Sequence, residues 1–242
     1  MAAGPQERCE PFALVVGASG GLAATLSYLF QVVADRSTRF CVAARAQPAL
    51  AAGRVRPEVV VVNLTREPDS GRDVVRAANG AGHRPVVVAV VSEGDDCAAV
   101  EAFLAGADDV VREPLQLREL ALRLEVRLAD RGIHDFKFGR DGRIDWDAET
   151  EMARRAALTA TEARIVHLLM QRDGAVVTRD ELSWIVDGRP WEYGDRKFDV
   201  HVASIRRKLQ AAFGSGITLE TVRAEGYRLD VSGLDWLNAH SS

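Results

Sequence analysis

A short segment near the end of the 242-residue chain carries the residue types that bind a polyanion. Positions 196 to 208 contain five basic residues and a single acidic residue, Asp199. The basic residues are Arg196, Lys197, Arg206, Arg207 and Lys208. Because the whole chain has a formal net charge of −4, this local concentration of cations predicts one defined contact face for an anionic partner.

The same segment has the apolar periodicity of an amphipathic helix over 196–213. Its apolar residues recur at helical spacing: Phe198, Val202, Ile205 and Leu209. The opposite face mixes cations with short or apolar side chains: Arg196, Val200, Ala203 and Arg207, flanked by Lys197, Ser204 and Lys208. A helix in the DNA major groove needs this mixture, since cations contact phosphates and guanine edges while short side chains allow close approach. A solvated surface helix has the same pattern, so the choice between these two interpretations depends on the neighbouring elements.

Those neighbours favour DNA binding. Two capping-box signatures, Thr159 to Glu162 and Thr178 to Glu181, predict two helices before the basic one. Two short strands after it flank a turn that contains Arg223. Helices followed by a hairpin form a helix-turn-helix with a wing, and such a hairpin can lie on the DNA backbone or in the minor groove. This second domain is predicted to begin with strands around a turn at Asp141-Gly142 and a further strand over 152–156.

The first half of the chain alternates short apolar strands with helical segments. The predicted strands span 12–16, 40–43, 59–62, 86–91 and 110–111. This alternation predicts an α/β fold with a doubly wound, five-stranded parallel sheet, which carries its sites at the carboxyl ends of the strands. We place this domain at 10–129, a polar linker at 130–135 and the winged-helix domain, of α+β type, at 136–233.

Residues 136 to 231 resemble the effector domain of OmpR/PhoB-type response regulators. The motifs FGRDGRIDWD, LTATEARIVHLL, VVTRDELSWIV, DVHVASIRRKL and TVRAEGYRL occur in family order. The resemblance implies that the basic helix enters the major groove of promoter DNA and that Arg223 reaches the adjacent minor groove. It also implies that the loop over 187–194, from Asp187 to Gly194, can touch RNA polymerase. The chain departs from the family at Glu225 in the wing and at Ala203-Ser204, where family members often carry arginines.

Residues 12 to 128 resemble the family's receiver domain, with GADDVVREPLQLREL matching its last strand and helix. Aspartyl phosphorylation needs a nucleophilic carboxylate, acidic Mg²⁺ ligands and a lysine that neutralises the phosphoryl group. Here Gly17-Ala18 replaces the acidic pair, Asn63 occupies the phosphoacceptor position, and Glu113 replaces the lysine. An amide cannot form an acyl phosphate. We therefore predict an atypical receiver that works without phosphorylation.

Two further receiver positions have also changed. The hydroxyl position maps to Val90 or Val91, with Ser92 just beyond, and the aromatic switch position is Val110. The alternative is a diverged receiver in a different register, in which Asp69 or Asp73, beyond the Pro68 turn, accepts the phosphoryl group.

A glycine-rich turn follows the first strand, with Gly17, Ser19, Gly20 and Gly21. It lacks the full dinucleotide fingerprint, and no acidic residue follows the second strand, where Ala44-Arg45-Ala46 stands. A glycine-rich turn at a helix N-terminus can still hold an anion. The turn either fills the vacated acidic pocket or forms a ligand site to which Arg45 would contribute. The second reading gives an alternative function: a sensor in which a metabolite or nucleotide in this crevice controls DNA binding.

The resemblance also implies a homodimer formed through the fourth helix, last strand and last helix. Asp108 or Asp109 with Arg123 matches one of the family's ion pairs between protomers, although these residues can equally be surface charges. We expect no enzyme, cofactor or metal site, because no catalytic set is evident and Cys9, Cys41 and Cys97 lack ligand spacing. No signal peptide or membrane span is evident, so a cytoplasmic location is expected.

Overall fold

The computed structural model describes residues 10–136, 146–192 and 196–234. Apart from Gln31–Val33, this chain divides into two compact units, one before and one after the gap at 137–145. The predicted turn at Asp141-Gly142 lies outside the described residues.

The first unit is built on a parallel sheet of five strands in the order β2-β1-β3-β4-β5. The strands are β1 Ala13–Val16, β2 Thr38–Cys41, β3 Val59–Asn63, β4 Val86–Val91 and β5 Asp109–Arg112. Every residue of β1, β3 and β4 is buried, because helices cover both faces of the sheet. The order reverses between β1 and β3, which places a topological switch point at their carboxyl ends. The predicted doubly wound sheet is confirmed.

Five helices connect and cover these strands. They are α1 Gly20–Ser27, α2 Ala43–Ala51, α3 Pro68–Asn79, α4 Asp96–Ala105 and α5 Leu117–Ala129. A π-helical turn, Tyr28–Val33, continues α1. The buried faces of α2, α3 and α4 pack with the sheet in one apolar core. Each of these helices begins close to the carboxyl end of the preceding strand, so the loops at that edge form the rim of a crevice.

Within its described residues, the second unit has four α-helices and a small antiparallel sheet of order β6-β8-β7. Its elements are α6 Trp146–Arg155, α7 Ala160–Gln171, β6 Val177–Thr178, α8 Arg179–Asp187, α9 Lys197–Phe213, β7 Thr218–Val222 and β8 Gly226–Asp230. Both predicted capping boxes are present, at Thr159 with Glu162 and at Thr178 with Glu181. The buried residues of α7 to α9 and of the hairpin share one core. Helices followed by a hairpin wing confirm the predicted winged helix.

The strand predicted over 152–156 is wrong, because residues 152–155 belong to helix α6 and Ala156 lies in the turn that follows it. Acidic residues occupy the first turn of α6 and Arg154 and Arg155 the last, which suits the helix dipole. Its buried residues recur at helical spacing: Trp146, Glu149, Thr150 and Met152.

Candidate nucleic-acid interface and the crevice of the first unit

Helix α9 buries the predicted apolar stripe and exposes the opposite face. Phe198, Val202, Ile205 and Leu209 are at most 2% exposed. On the other side, Val200 is 69% exposed, and Arg196, Ala203 and Arg207 are also exposed. Neither Arg196 nor Arg207 forms an ion pair within the described part of the chain. The predicted contact face is therefore an open surface that combines two unpaired cations with small and apolar side chains.

The other cations near α9 hold the domain together. Arg206 donates from Nε to the carbonyl oxygen of Leu219 in β7 at 2.8 Å and from Nη2 to Thr221 Oγ1 at 3.2 Å. It therefore fastens the helix to the wing. Lys197 pairs with Asp187 at the end of α8.

Lys208 connects α9 to the start of α7. Its ammonium donates to Glu162 Oε2 at 2.6 Å and to the carbonyl oxygen of Ala157 at 2.9 Å. Burial alone would raise the pKa of Glu162, but hydrogen bonds from Lys208, from Thr159 and from the half-buried Ser204 outweigh it and lower this pKa to about 2. Lys208 and Ser204 thus have partners inside the domain, in addition to the DNA contact predicted for them.

Three side chains join the first turn of α9 to the wing. The Tyr227 hydroxyl donates to Asp199, and the Arg179 guanidinium lies 4.9 Å from the Tyr227 ring centroid. Arg179 Nη2 is also 3.6 Å from Asp199 Oδ1. Burial and the hydrogen bond to Asp199 raise the pKa of Tyr227 to about 12.

The wing turn presents Arg223 to solvent. Arg223, Ala224 and Glu225 are all exposed between β7 and β8. The next residue, Gly226, is buried where β6 pairs with β8, and a Cβ there would lie 1.9 Å from the carbonyl oxygen of Val177. Only glycine allows this close approach. The hairpin is thereby held against β6 next to its turn, and the turn itself carries a cation.

At the crevice of the first unit, Asn63 ends β3 and is 8% exposed. Its Nδ2 donates to the carbonyl oxygen of Gly17 at 3.3 Å, and its Oδ1 accepts from the Thr65 amide at 2.9 Å. The side chain thus ties the loop after β1 to the loop after β3. In the register of the sheet, Asn63 pairs with Val90 in β4, and Val90 pairs with Val111 in β5. Among the described residues, no group of three His, Cys, Asp or Glu could hold a metal ion.

The two alternative phosphoacceptors lie on the surface of helix α3 rather than at the end of a strand. Asp69 pairs with Arg72, and its side chain is 93% exposed. Asp73 pairs with Arg76 at 2.7 Å. Both carboxylates are therefore neutralised by the next turn of their own helix.

The residues predicted for the dimer interface form ion pairs within one chain. Asp109 Oδ1 lies 3.0 Å from Arg123 Nη1, and Asp108 Oδ1 lies 2.6 Å from Arg131 Nη2. Five large apolar side chains are exposed on α4 and α5, the helices that flank edge strand β5: Val100, Phe103, Leu104, Leu122 and Val126.

Sequence analysis missed several residues at the crevice, among them Phe40, Val42 and Arg66. Arg66, in the loop after β3, donates from Nη1 to Ser19 Oγ at 3.0 Å. The two residues are 47 positions apart, and an exposed arginine in a loop has no periodic pattern that would reveal such a contact. Only its position after a strand of a doubly wound sheet could have drawn attention to it.

A family model and several known proteins match this chain. A family model described as "Transcriptional regulatory protein, C terminal" matches residues 153–229. The chain is 31% identical over 183 residues to the transcriptional regulatory protein AfsQ1 of Streptomyces coelicolor, covering 72% of this chain and 79% of AfsQ1. It is 29% identical over 185 residues to the sensory transduction protein RegX3 of Mycobacterium tuberculosis, covering 73% and 81% of the two chains.

A solved structure, the response regulator DrrB from Thermotoga maritima, described as an OmpR/PhoB homolog, is 20% identical. It has a TM-score of 0.39 and covers 89% of this chain and 97% of its own.

A receiver-like sheet unit followed by a winged helix defines a DNA-binding transcription regulator of the two-component type. The chain belongs to the OmpR/PhoB-type response regulators. Within the described ranges, no helix is both long enough and apolar enough to cross a membrane.

Proposed function

We propose that this chain is a sequence-specific regulator of transcription that binds promoter DNA through α9 and the wing, and that it acts without aspartyl phosphorylation. The observation that carries the first part is the exposed face of α9, where Arg196 and Arg207 have no ion pair within the described chain. Val200 and Ala203 lie between them and leave room for base edges and thymine methyl groups.

The roles within this face follow from position. Arg207 lies in the middle of α9 and Arg196 at its start, so one approaches base edges and the other a phosphate. Lys197 and Lys208 add positive charge beside the backbone, although each is paired inside the domain. Arg223 at the wing tip contacts the backbone or the adjacent minor groove.

The adjacent arginines of α9 provide a matched test. Arg207→Ala removes an exposed cation, whereas Arg206→Ala removes the link to Leu219. If Arg207 contacts a phosphate, its loss weakens specific and non-specific DNA about equally and lowers the slope of log K against log salt by about 0.9. If it contacts a base, its loss costs roughly 1 to 3 kcal/mol and relaxes preference at one position. Arg206→Ala mainly lowers stability.

Binding measurements at several salt concentrations, with circular dichroism, separate these outcomes. A folded Arg207→Ala variant with unchanged affinity, specificity and salt slope means that α9 is a solvated surface helix and contradicts the proposal.

Independence from phosphorylation is supported by the groups around Asn63. The side-chain amide of Asn63 already forms hydrogen bonds with Gly17 and Thr65. Gly17-Ala18 beside it offers no carboxylate for Mg²⁺. Glu113 brings a carboxylate where a lysine would neutralise a phosphoryl group.

Acetyl phosphate with Mg²⁺ should therefore leave the oligomeric state and DNA affinity unchanged. Asn63→Asp alone should not restore phosphorylation, because the metal would still lack its acidic ligands. A stoichiometric, acid-labile phosphoryl group on the wild-type protein would overturn this part of the proposal.

The membership in the OmpR/PhoB-type family also supports two proposed partners, a second copy of this chain and RNA polymerase. A homodimer on DNA requires two half-sites about one helical turn, 10 to 11 bp, apart, and footprinting with sedimentation of the complex tests this spacing. The loop over 187–194 is the proposed contact for RNA polymerase.

A second candidate function is a sensor in which a small molecule in the crevice of the first unit controls DNA binding. A cavity of about 590 Å³ at the carboxyl ends of β1, β2 and β3 favours it. Promoter affinity measured with and without a bound ligand tests this role.

A further inference from the structure

The cavity in the first unit lies where the order of a doubly wound sheet reverses. It measures about 590 Å³ and opens at the carboxyl ends of β2, β1 and β3. Such crevices are where open α/β sheets bind ligands, and the volume lies within the range of small-molecule sites. Its lining includes Ser19, Phe40, Val42, Arg45, Asn63 and Arg66.

The charges around the cavity favour an anion. Arg45 and Arg66 line it, and neither forms an ion pair within the described ranges. Among the described lining residues Glu67 is the only acid, and its carboxylate accepts a hydrogen bond from Ser70 Oγ at 3.1 Å. That contact directs Glu67 to the first turn of α3. Two cations therefore face the cavity without a carboxylate partner.

The N-terminus of α1 adds donors at the same edge. Ser19 occupies the capping position of α1 but makes no capping hydrogen bond, and its hydroxyl accepts from Arg66. No acidic residue lies in the first turn of α1. A Cβ added at Gly20 or Gly21 would meet nothing within 4 Å, so the backbone there is open to a ligand.

Apolar side chains form the remaining rim. Phe40 is 36% exposed and Val42 is 57% exposed, at and just beyond the end of β2. Large apolar groups left in water at the mouth of a cavity can cover the flat part of a ligand.

We propose that this cavity binds an organic phosphate of mononucleotide size. Arg45, Arg66 and the first amides of α1 bind its phosphate, and Phe40 with Val42 covers its ring. This proposal names the ligand class for the second candidate function. Only the regulatory role of the bound ligand, and not the binding itself, rests on that proposed function.

Isothermal titration of the full chain tests the site with AMP, pyrophosphate and adenosine as probes. AMP and pyrophosphate should bind, and adenosine, which lacks the phosphate, should bind at least about tenfold more weakly. The double variant Arg45→Gln/Arg66→Gln should lose about tenfold or more in affinity for AMP. Arg54→Gln, an exposed arginine of the same unit that does not line the cavity, is the matched control and should bind AMP as the wild type does.

Failure of both AMP and pyrophosphate to bind at millimolar concentration overturns the proposal. So does equal AMP affinity in the double variant and in Arg54→Gln. AMP binding that is lost in the double variant but leaves promoter affinity unchanged supports the site and contradicts only the sensor role.

Discussion

The hydroxyl of Tyr227 in wing strand β8 donates a hydrogen bond to the carboxylate of Asp199 in the first turn of α9. The two residues are 28 positions apart, so this bond fixes the wing relative to the proposed recognition helix. Arg179 at the start of α8 contacts both partners. The distance from the face of α9 to Arg223 at the wing tip is therefore set by a small polar cluster as well as by the apolar core.

Removing the Tyr227 hydroxyl should lower the stability of the second unit. Tyr227→Phe is expected to lower the free energy of unfolding by about 1 to 2 kcal/mol, because it removes a hydrogen bond to a charged group while Asp199 keeps access to water. All four tryptophans, Trp146, Trp184, Trp191 and Trp236, follow the boundary between the units, so tryptophan fluorescence during urea unfolding reports on this unit. An unchanged urea midpoint would show that the bond contributes nothing.

The depressed pKa of Glu162 predicts acid sensitivity of the same unit. Its pKa falls from 4.5 to about 2 on folding, so the charged form is bound more tightly in the native state. The resulting stabilisation, about 3 kcal/mol, is fully present above about pH 5 and is lost as the pH falls towards 2. Glu162→Gln should be less stable at pH 7 and should lose less stability between pH 5 and pH 2 than the wild type.

Lys208→Met provides the matching change on the other side of the ion pair. It removes the main donor that lowers the pKa of Glu162, so it should also flatten the acid dependence. Parallel curves for the wild type and both variants would show that the Glu162–Lys208 pair does not govern acid unfolding.

A buried hydrogen-bonded pair inside the second unit predicts a greater loss of stability than the one expected for Tyr227→Phe. Glu149 is fully buried, and its Oε2 lies 2.7 Å from Nδ1 of His167, which is 7% exposed. Removing one partner of a buried hydrogen bond is costly because the other partner is then left unsatisfied and out of water. We expect His167→Ala to lower the free energy of unfolding by about 2 to 4 kcal/mol.

His167→Gln is the control for His167→Ala, since its amide can still donate to Glu149. It should recover part of the loss, and equal destabilisation by both variants would count against the hydrogen bond as the cause.

The fold was predictable wherever burial leaves a simple pattern. Strands β3 and β4 are buried on both faces and therefore appear as unbroken valine-rich runs. Edge strand β2, predicted over 40–43, in fact spans Thr38–Cys41, because two of its four residues are exposed and leave no apolar run. Helix α6 was missed because its signal is the periodicity of buried polar residues, Glu149 and Thr150, among apolar ones.

The candidate sites were predictable only in part, for a related reason. Periodicity places Arg206, Arg207 and Lys208 on the polar side of α9, and local sequence does not separate them. Their different roles depend on Leu219, which is 13 positions from Arg206, and on Glu162, which is 46 positions from Lys208. Such contacts arise from tertiary packing, which a single sequence does not display.

The exposed apolar side chains beside β5 lead to the last prediction, which concerns the proposed homodimer. Leu104 on α4 is 83% exposed and Val126 on α5 is 60% exposed, so neither supports the core of its own unit. Leu104→Glu/Val126→Glu should leave the fold intact and raise the dimer dissociation constant by roughly tenfold or more, because a symmetric interface contains each change twice.

Sedimentation of the full chain, alone and on DNA with two half-sites, measures this change. Val42→Glu, which alters a side chain 57% exposed at the crevice rim, is the control and should dimerise as the wild type does. Because two protomers share the DNA site, the double variant should also need a higher protein concentration to fill both half-sites. A double variant that remains as dimeric as the wild type would exclude this surface as the interface, whereas equal loss in Val42→Glu would attribute the effect to added negative charge.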